Sequence, residues 1–152
     1  MDMEQFDPQK AARVWNRVQN REPAEPLRKD QAGLIRDVSA QAARYRYLSR
    51  AIQGRFGERL REYYRQQQRT AECLKGICRL SGIQPPRDGG MSAPAEPPAR
   101  MLEKCCREEQ RLMEEYGNRL SDPEWGRVYG KMATEGADRC CGLLEILGTM
   151  GR

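Results

Sequence analysis

The chain has 152 residues, a net charge of +5 and no histidine; it is 38% hydrophobic, 32% charged and 7% aromatic. That length suits one domain with a single core, and a mean hydropathy of −0.90 argues against a transmembrane chain or a large β-sandwich. Without an imidazole, every mechanism that needs one as base, proton shuttle or metal ligand is excluded.

The first ten residues are acidic and polar, with no apolar run of the secretory kind, so a cytoplasmic chain is expected. No membrane partner is expected, because the longest apolar stretches, such as Leu143-Leu144-Glu145-Ile146-Leu147, are short and broken by a charge. Asp7-Pro8 pairs an N-cap with proline at the first helical position. Ala11, Val14, Trp15 and Val18 then recur at helical spacing, predicting a short helix over residues 6–20 that docks Trp15 on the main body. Pro23 and Pro26 lie in a connector, so residues 1–26 form an N-terminal appendage and residues 27–152 the domain proper.

Four long helices are expected in that domain. The first runs over 27–53, with Leu34, Val38, Tyr45, Leu48 and Ile52 on one stripe, and Gly54 and Gly57 mark a tight turn. In the second, over 56–81, Phe56, Leu60, Tyr63, Gln67, Thr70, Leu74 and Ile77 step by four and three, and Gly82 closes it in a left-handed conformation. Pro85, Pro86, Gly89, Gly90, Pro94, Pro97 and Pro98 make residues 83–98 a low-complexity, mobile linker long enough to cross the body. The third helix, over 99–118, aligns Leu102, Cys105, Glu109, Leu112 and Tyr116. Ser121-Asp122-Pro123-Glu124 signals the start of the fourth, which turns Trp125, Tyr129, Met132, Gly136, Arg139, Leu143 and Ile146 inward and ends near Leu147. The fold class is therefore all-α: an up-down four-helix bundle with a short extra N-terminal helix and a Pro/Gly-rich crossover between its second and third helices.

Charge is uneven along the chain. Residues 1–81 carry 17 basic and 10 acidic side chains, and residues 82–152 carry 10 and 12. Arg44, Arg46, Arg50, Arg55, Arg59, Arg61, Arg65 and Arg69 could form a nucleic-acid surface, but Glu58 and Glu62 interrupt the run as helical partners. A solvated helix face is the stronger reading, and nucleic acid the weaker partner. The six cysteines, Cys73, Cys78, Cys105, Cys106, Cys140 and Cys141, include no Cys-x-x-Cys. Reduced thiols packed as small apolar side chains are expected.

The inward stripes carry polar residues at mid-helix: Gln67 and Thr70, Glu109, and Gly136 with Arg139. An unpaired buried charge costs several kcal/mol, so the carboxylate and the guanidinium need partners. Together with Ala43-Arg44-Tyr45-Arg46-Tyr47, the run Cys73-Leu74-Lys75-Gly76-Ile77-Cys78-Arg79-Leu80, and Asp122-Pro123-Glu124 leading to Leu143–Leu147, these positions resemble the ferritin-like, rubrerythrin-type bundle family over residues 27–148, the linker aside.

The resemblance implies a di-iron or di-manganese site built from one glutamate on each of helices one and three and a Glu-x-x-His on each of helices two and four. Read onto this chain, the ligand positions fall on Ala40, on Gln67 and Thr70, on Glu109, and on Gly136 and Arg139, so one carboxylate survives. One carboxylate cannot hold two divalent ions, and no cofactor is expected. In its place the residues predict a core ion pair of Glu109 with Arg139, hydrogen-bonded by Gln67 and Thr70, with Gly136 leaving room for the arginine.

Shifting the last helix by one residue gives an alternative. Glu109, Glu135 and Asp138, with Cys73, Cys106 and Cys140, could then hold iron or another divalent metal in a remodelled oxidoreductase centre. The leading reading leans away from an enzyme: a bundle that has lost its metal and serves as a structural or binding module for a protein partner, with a homodimer through its helix faces as one option. A basic nucleic-acid binder is the third reading.

Overall fold

The computed structural model describes residues 25–87 and 92–150, which form four α-helices and, among those residues, no strand. The helix expected over residues 6–20 and most of its connector lie outside them. The helices are α1 Glu25–Ala51, α2 Arg55–Leu80, α3 Pro98–Gly117 and α4 Gly126–Met150. No helix among the described residues is long and apolar enough to cross a membrane.

Helix ends follow local chemistry. After α2, Gly82 takes φ 74°, a conformation in which a side chain would be strained. The Gly82 and Ile83 amides donate to the Arg79 and Cys78 carbonyls at 3.1 and 2.7 Å, the paired bonds of a Schellman stop. Ile83 then packs against the core. Asp122 does act as a cap, its Oδ1 accepting from the Glu124 and Trp125 amides at 2.9 Å. A turn over 123–125 comes first, so the regular helix begins only at Gly126.

The bundle pairs α1 with α2 and α3 with α4, and the two hairpins meet along α1·α3 and α2·α4. Cross-contacts fix the directions. Asp37 meets Arg111, Gln41 meets the Cys105 carbonyl and Tyr47 the Glu96 carbonyl, so α1 and α3 are antiparallel. Arg59 meets Glu145 and Gln66 meets Arg139, so α2 and α4 are antiparallel too. The helices thus run up, down, down and up and not in the plain up-down order expected, because α2 and α3 are parallel and the segment between them must run the length of the bundle. It starts beyond Leu80, while the chain entering α3 is anchored beside Tyr47, whose hydroxyl donates to the Glu96 carbonyl at 2.8 Å.

The core is split in two. One apolar cluster gathers Leu34, Val38, Leu74, Leu112 and Met132; the other gathers Tyr45, Leu48, Leu60, Leu102 and Leu143. On every helix the boundary falls on polar or small residues: Gln41 on α1, Gln67 and Thr70 on α2, Glu109 on α3, Gly136 and Arg139 on α4. A polar layer crosses the bundle near its middle.

Candidate functional site

Glu109 is the centre of that layer and is fully buried, and Arg139 is 1% exposed. The guanidinium meets the carboxylate side-on: Arg139 Nε donates to Glu109 Oε1 at 2.8 Å and Nη2 to Oε2 at 3.3 Å. This two-point match between planar groups is what arginine provides and lysine does not. Oε1 also accepts from Gln67 Nε2 at 2.9 Å and from the Tyr45 hydroxyl at 2.5 Å. The remaining guanidinium nitrogen, Nη1, donates to Gln66 Oε1 at 3.0 Å. One carboxylate thus draws donors from α1, α2 and α4, and every helix contributes to a single network.

A second tier holds the first. Gln41 Nε2 donates to the Cys105 carbonyl at 2.9 Å and to the Tyr45 hydroxyl oxygen at 3.3 Å, while Arg44 Nη1 donates to Gln41 Oε1 at 2.9 Å. Tyr45 is therefore oriented by Gln41 and spends its own proton on Glu109. Its ring stands edge-on to Tyr63, with centroids 5.6 Å apart.

Three expected details are different in the structure. Thr70 is buried but does not reach the pair; its hydroxyl donates to the Gln66 carbonyl one turn back, at 3.0 Å. That backbone acceptor lies within the threonine's own helix and needs no reach across the core. Gly136 makes room for the acid and not for the arginine: a Cβ there would lie 3.0 Å from Met113 Cγ and 3.3 Å from Glu109 Oε2. On α1 it is Gln41 and Tyr45, one and five residues beyond Ala40, that face the layer, while Ala40 is only half-buried. Gln41, Tyr45 and Gln66 are the network members that sequence reasoning missed. Gln41 lies on the stripe of Leu34, Val38, Tyr45 and Leu48, three residues after Val38 and four before Tyr45, a signal that could have found it, and Tyr45 counts as apolar until its hydroxyl is considered.

The electrostatics follow from burial. Desolvation opposes the Arg139 charge, but the field and hydrogen bonds of Glu109 outweigh it and hold the guanidinium's pKa above its ordinary value. Burial, reinforced by the Glu109 charge, pushes the Tyr45 pKa well above its ordinary value, so the tyrosine stays a proton donor. Two buried oxygens, Gln67 Oε1 and the Tyr116 hydroxyl, have no partner among the described residues.

The alternative metal set is not assembled. Among the described residues no three His, Cys, Asp or Glu side chains are grouped so as to hold a metal ion. Asp138 and Cys73 are exposed, Glu135 is half-buried, and the Cys140 thiol leans on the Cys106 carbonyl at 3.9 Å. Burial raises the Cys73 and Cys106 thiol pKa values and, helped by Glu109, lifts Cys140 to about 11. They are protonated thiols at neutral pH, where a soft-metal or peroxide-reactive cluster needs thiolates.

The di-metal centre that the family resemblance implies does not fit this donor set either. Both oxygens of its one matching carboxylate are held by Arg139, and the unpartnered oxygens beside it are a neutral amide and a phenol. Compared with protein-family models, with curated proteins and with solved structures, the chain matches none.

Proposed function

We propose that the chain is a ferritin-like bundle whose di-metal centre has given way to a Glu109–Arg139 ion pair, and that it acts as a non-catalytic structural or binding module. The observation that carries this reading is the commitment of both Glu109 oxygens to protein donors: Arg139 on each, and Gln67 and Tyr45 on Oε1. The crossover between α2 and α3 and the mid-bundle position of the layer agree with it.

In such a protein the polar layer works as a register device. A buried charge pair is a poor source of net stability, yet misaligned packings would strand it without partners, which specifies one arrangement of the helices. The outer faces are then free to bind while the interior holds its shape.

Elemental analysis of the full chain, purified under reducing conditions without added chelator, tests the reading. Iron, manganese and zinc well below one equivalent per chain are expected. One or more equivalents, retained through gel filtration and lost in a Glu109→Gln variant, would overturn it in favour of a remodelled metal centre.

A further inference from the structure

The arginines of the first hairpin are not spread evenly. Arg59 pairs with Glu145 at 2.9 Å, and Arg55 and Arg59 lie over the Phe56 ring at one end of the bundle. Apart from these residues, a groove of about 660 Å³ opens between α1, α2 and the start of the crossover. Among the described residues six cations line it, Arg36, Arg46, Arg65, Arg69, Lys75 and Arg87, against one carboxylate, Glu72.

We propose that this groove binds a ligand carrying several phosphate groups. Five of the six cations are guanidinium groups, whose planar forks match phosphate oxygens two at a time. Arg36 and Arg46 are ten residues apart on one helix, so the cations span about 15 Å at 1.5 Å per residue, which favours a string of anionic groups over a single one. Arg46 is steadied by the Tyr64 ring, 5.9 Å from its centroid. Lys75 is 6% exposed, with its ammonium 3.1 Å from Glu72 Oε1, a buried cation in the wall of the groove.

The floor is small and apolar. Ala42, Ala43 and Ala71 line it, so an extended chain can lie close to the helix backbones. Pro86 and Arg87 line one side of this open groove, which suits a short polyanion lying along it better than the broad face of a duplex. Glu62 holds Arg65 and Arg69 at 3.6 and 3.2 Å, but all three side chains are about half exposed. Pairs of that kind are worth little and exchange readily for a phosphate.

Calorimetric titration of the full chain with sodium tripolyphosphate, and separately with ATP, at about 0.1 M salt tests the site. Saturable binding at one equivalent is expected. R46Q/R69Q should weaken it by about tenfold or more, in line with the loss of two charge-assisted contacts. The charge-matched R107Q/R127Q, on exposed positions of α3 and α4, should change it by no more than about twofold. Equal affinities for the two ligands assign the site to the phosphate chain alone; tighter ATP adds a nucleoside contact on the alanine floor. Absence of saturation, or equal losses in both double variants, overturns the proposal. So does a single-stranded oligothymidylate binding more than about a hundredfold tighter than tripolyphosphate, which would make the face a nucleic-acid surface.

Discussion

Removing one partner of the Glu109–Arg139 pair is the sharpest perturbation the structure offers. In Glu109→Leu, Arg139 keeps only Gln66 as an acceptor, and Gln67 and Tyr45 lose theirs. Breaking a buried pair from one side costs about 3–5 kcal/mol, a large share of the roughly 5–15 kcal/mol that holds a domain together. Arg139→Met keeps much of the side-chain volume and strands the carboxylate with two neutral donors; a loss of about 3 kcal/mol or more is expected. The double variant removes both charges at once. It leaves Gln67 Nε2 and the Tyr45 hydroxyl without acceptors, about 1–3 kcal/mol each, but buries no lone charge. It should be no less stable than Glu109→Leu, which strands the same two donors and a charge besides, giving a coupling of at least about 3 kcal/mol between the two sites. Urea unfolding followed by far-ultraviolet circular dichroism, with unchanged slopes, measures all four corners. Losses under about 1 kcal/mol for both single variants, or additive losses in the double, would refute the reasoning.

Three further outcomes are expected. A Cβ on Gly142 would lie 1.9 Å from the Tyr63 hydroxyl oxygen, so Gly142→Ala should destabilise by about 1–3 kcal/mol despite alanine's better helix propensity, and Tyr63→Phe, which removes that oxygen, should restore most of the loss in thermal unfolding. Burial raises the pKa values of Tyr45 above 10.0 and of Cys140 from 9.0 to about 11, so the unfolded chain releases these protons first; stability should be full below pH 9 and fall as pH rises from 9 to 11 in urea midpoints. Cys73 and Cys141 are exposed while Cys78, Cys105 and Cys106 are buried, so an aromatic disulfide reagent should titrate the first two rapidly in the native state and the buried three only after denaturant is added.

Much of the architecture is legible in the chain because helical periodicity and stop signals are local. Every residue placed on the inward stripes of helices two and three is buried except Phe56, which is half-buried. Gly82 and Asp122 act at the ends where their chemistry puts them. The polar interruptions Gln67, Glu109 and Arg139 point to the layer for the same reason: polar groups on an apolar stripe must meet one another.

What the chain does not disclose is rotation and reach. The family's ligand spacing points to Ala40 whereas the stripe of Leu34, Val38, Tyr45 and Leu48 runs through Gln41, and the packed rotation of α1 follows the stripe. Thr70 has the right address, but its short hydroxyl finds a carbonyl in its own helix. Gln66 sits half-buried at the edge of the stripe, and only the length of Arg139 brings it into the network. The cationic groove is legible in part: Arg46, Arg65 and Arg69 belong to the arginine run of the first two helices, but Arg36, Lys75 and Arg87 join them only in the fold, and only packing sorts them from arginines that face Glu145 or Phe56.

The central claim, that Glu109 is saturated by protein donors and closed to metal, is tested most directly by proton–nitrogen correlation spectra of the labelled chain during a Mn²⁺ titration. The account predicts an Arg139 Nε–H resonance that exchanges slowly with water and keeps its intensity, along with the Glu109 and Gly136 amides, up to millimolar metal. Rapid solvent exchange at Arg139, or paramagnetic broadening centred on Glu109, Gly136 and Arg139, would contradict it.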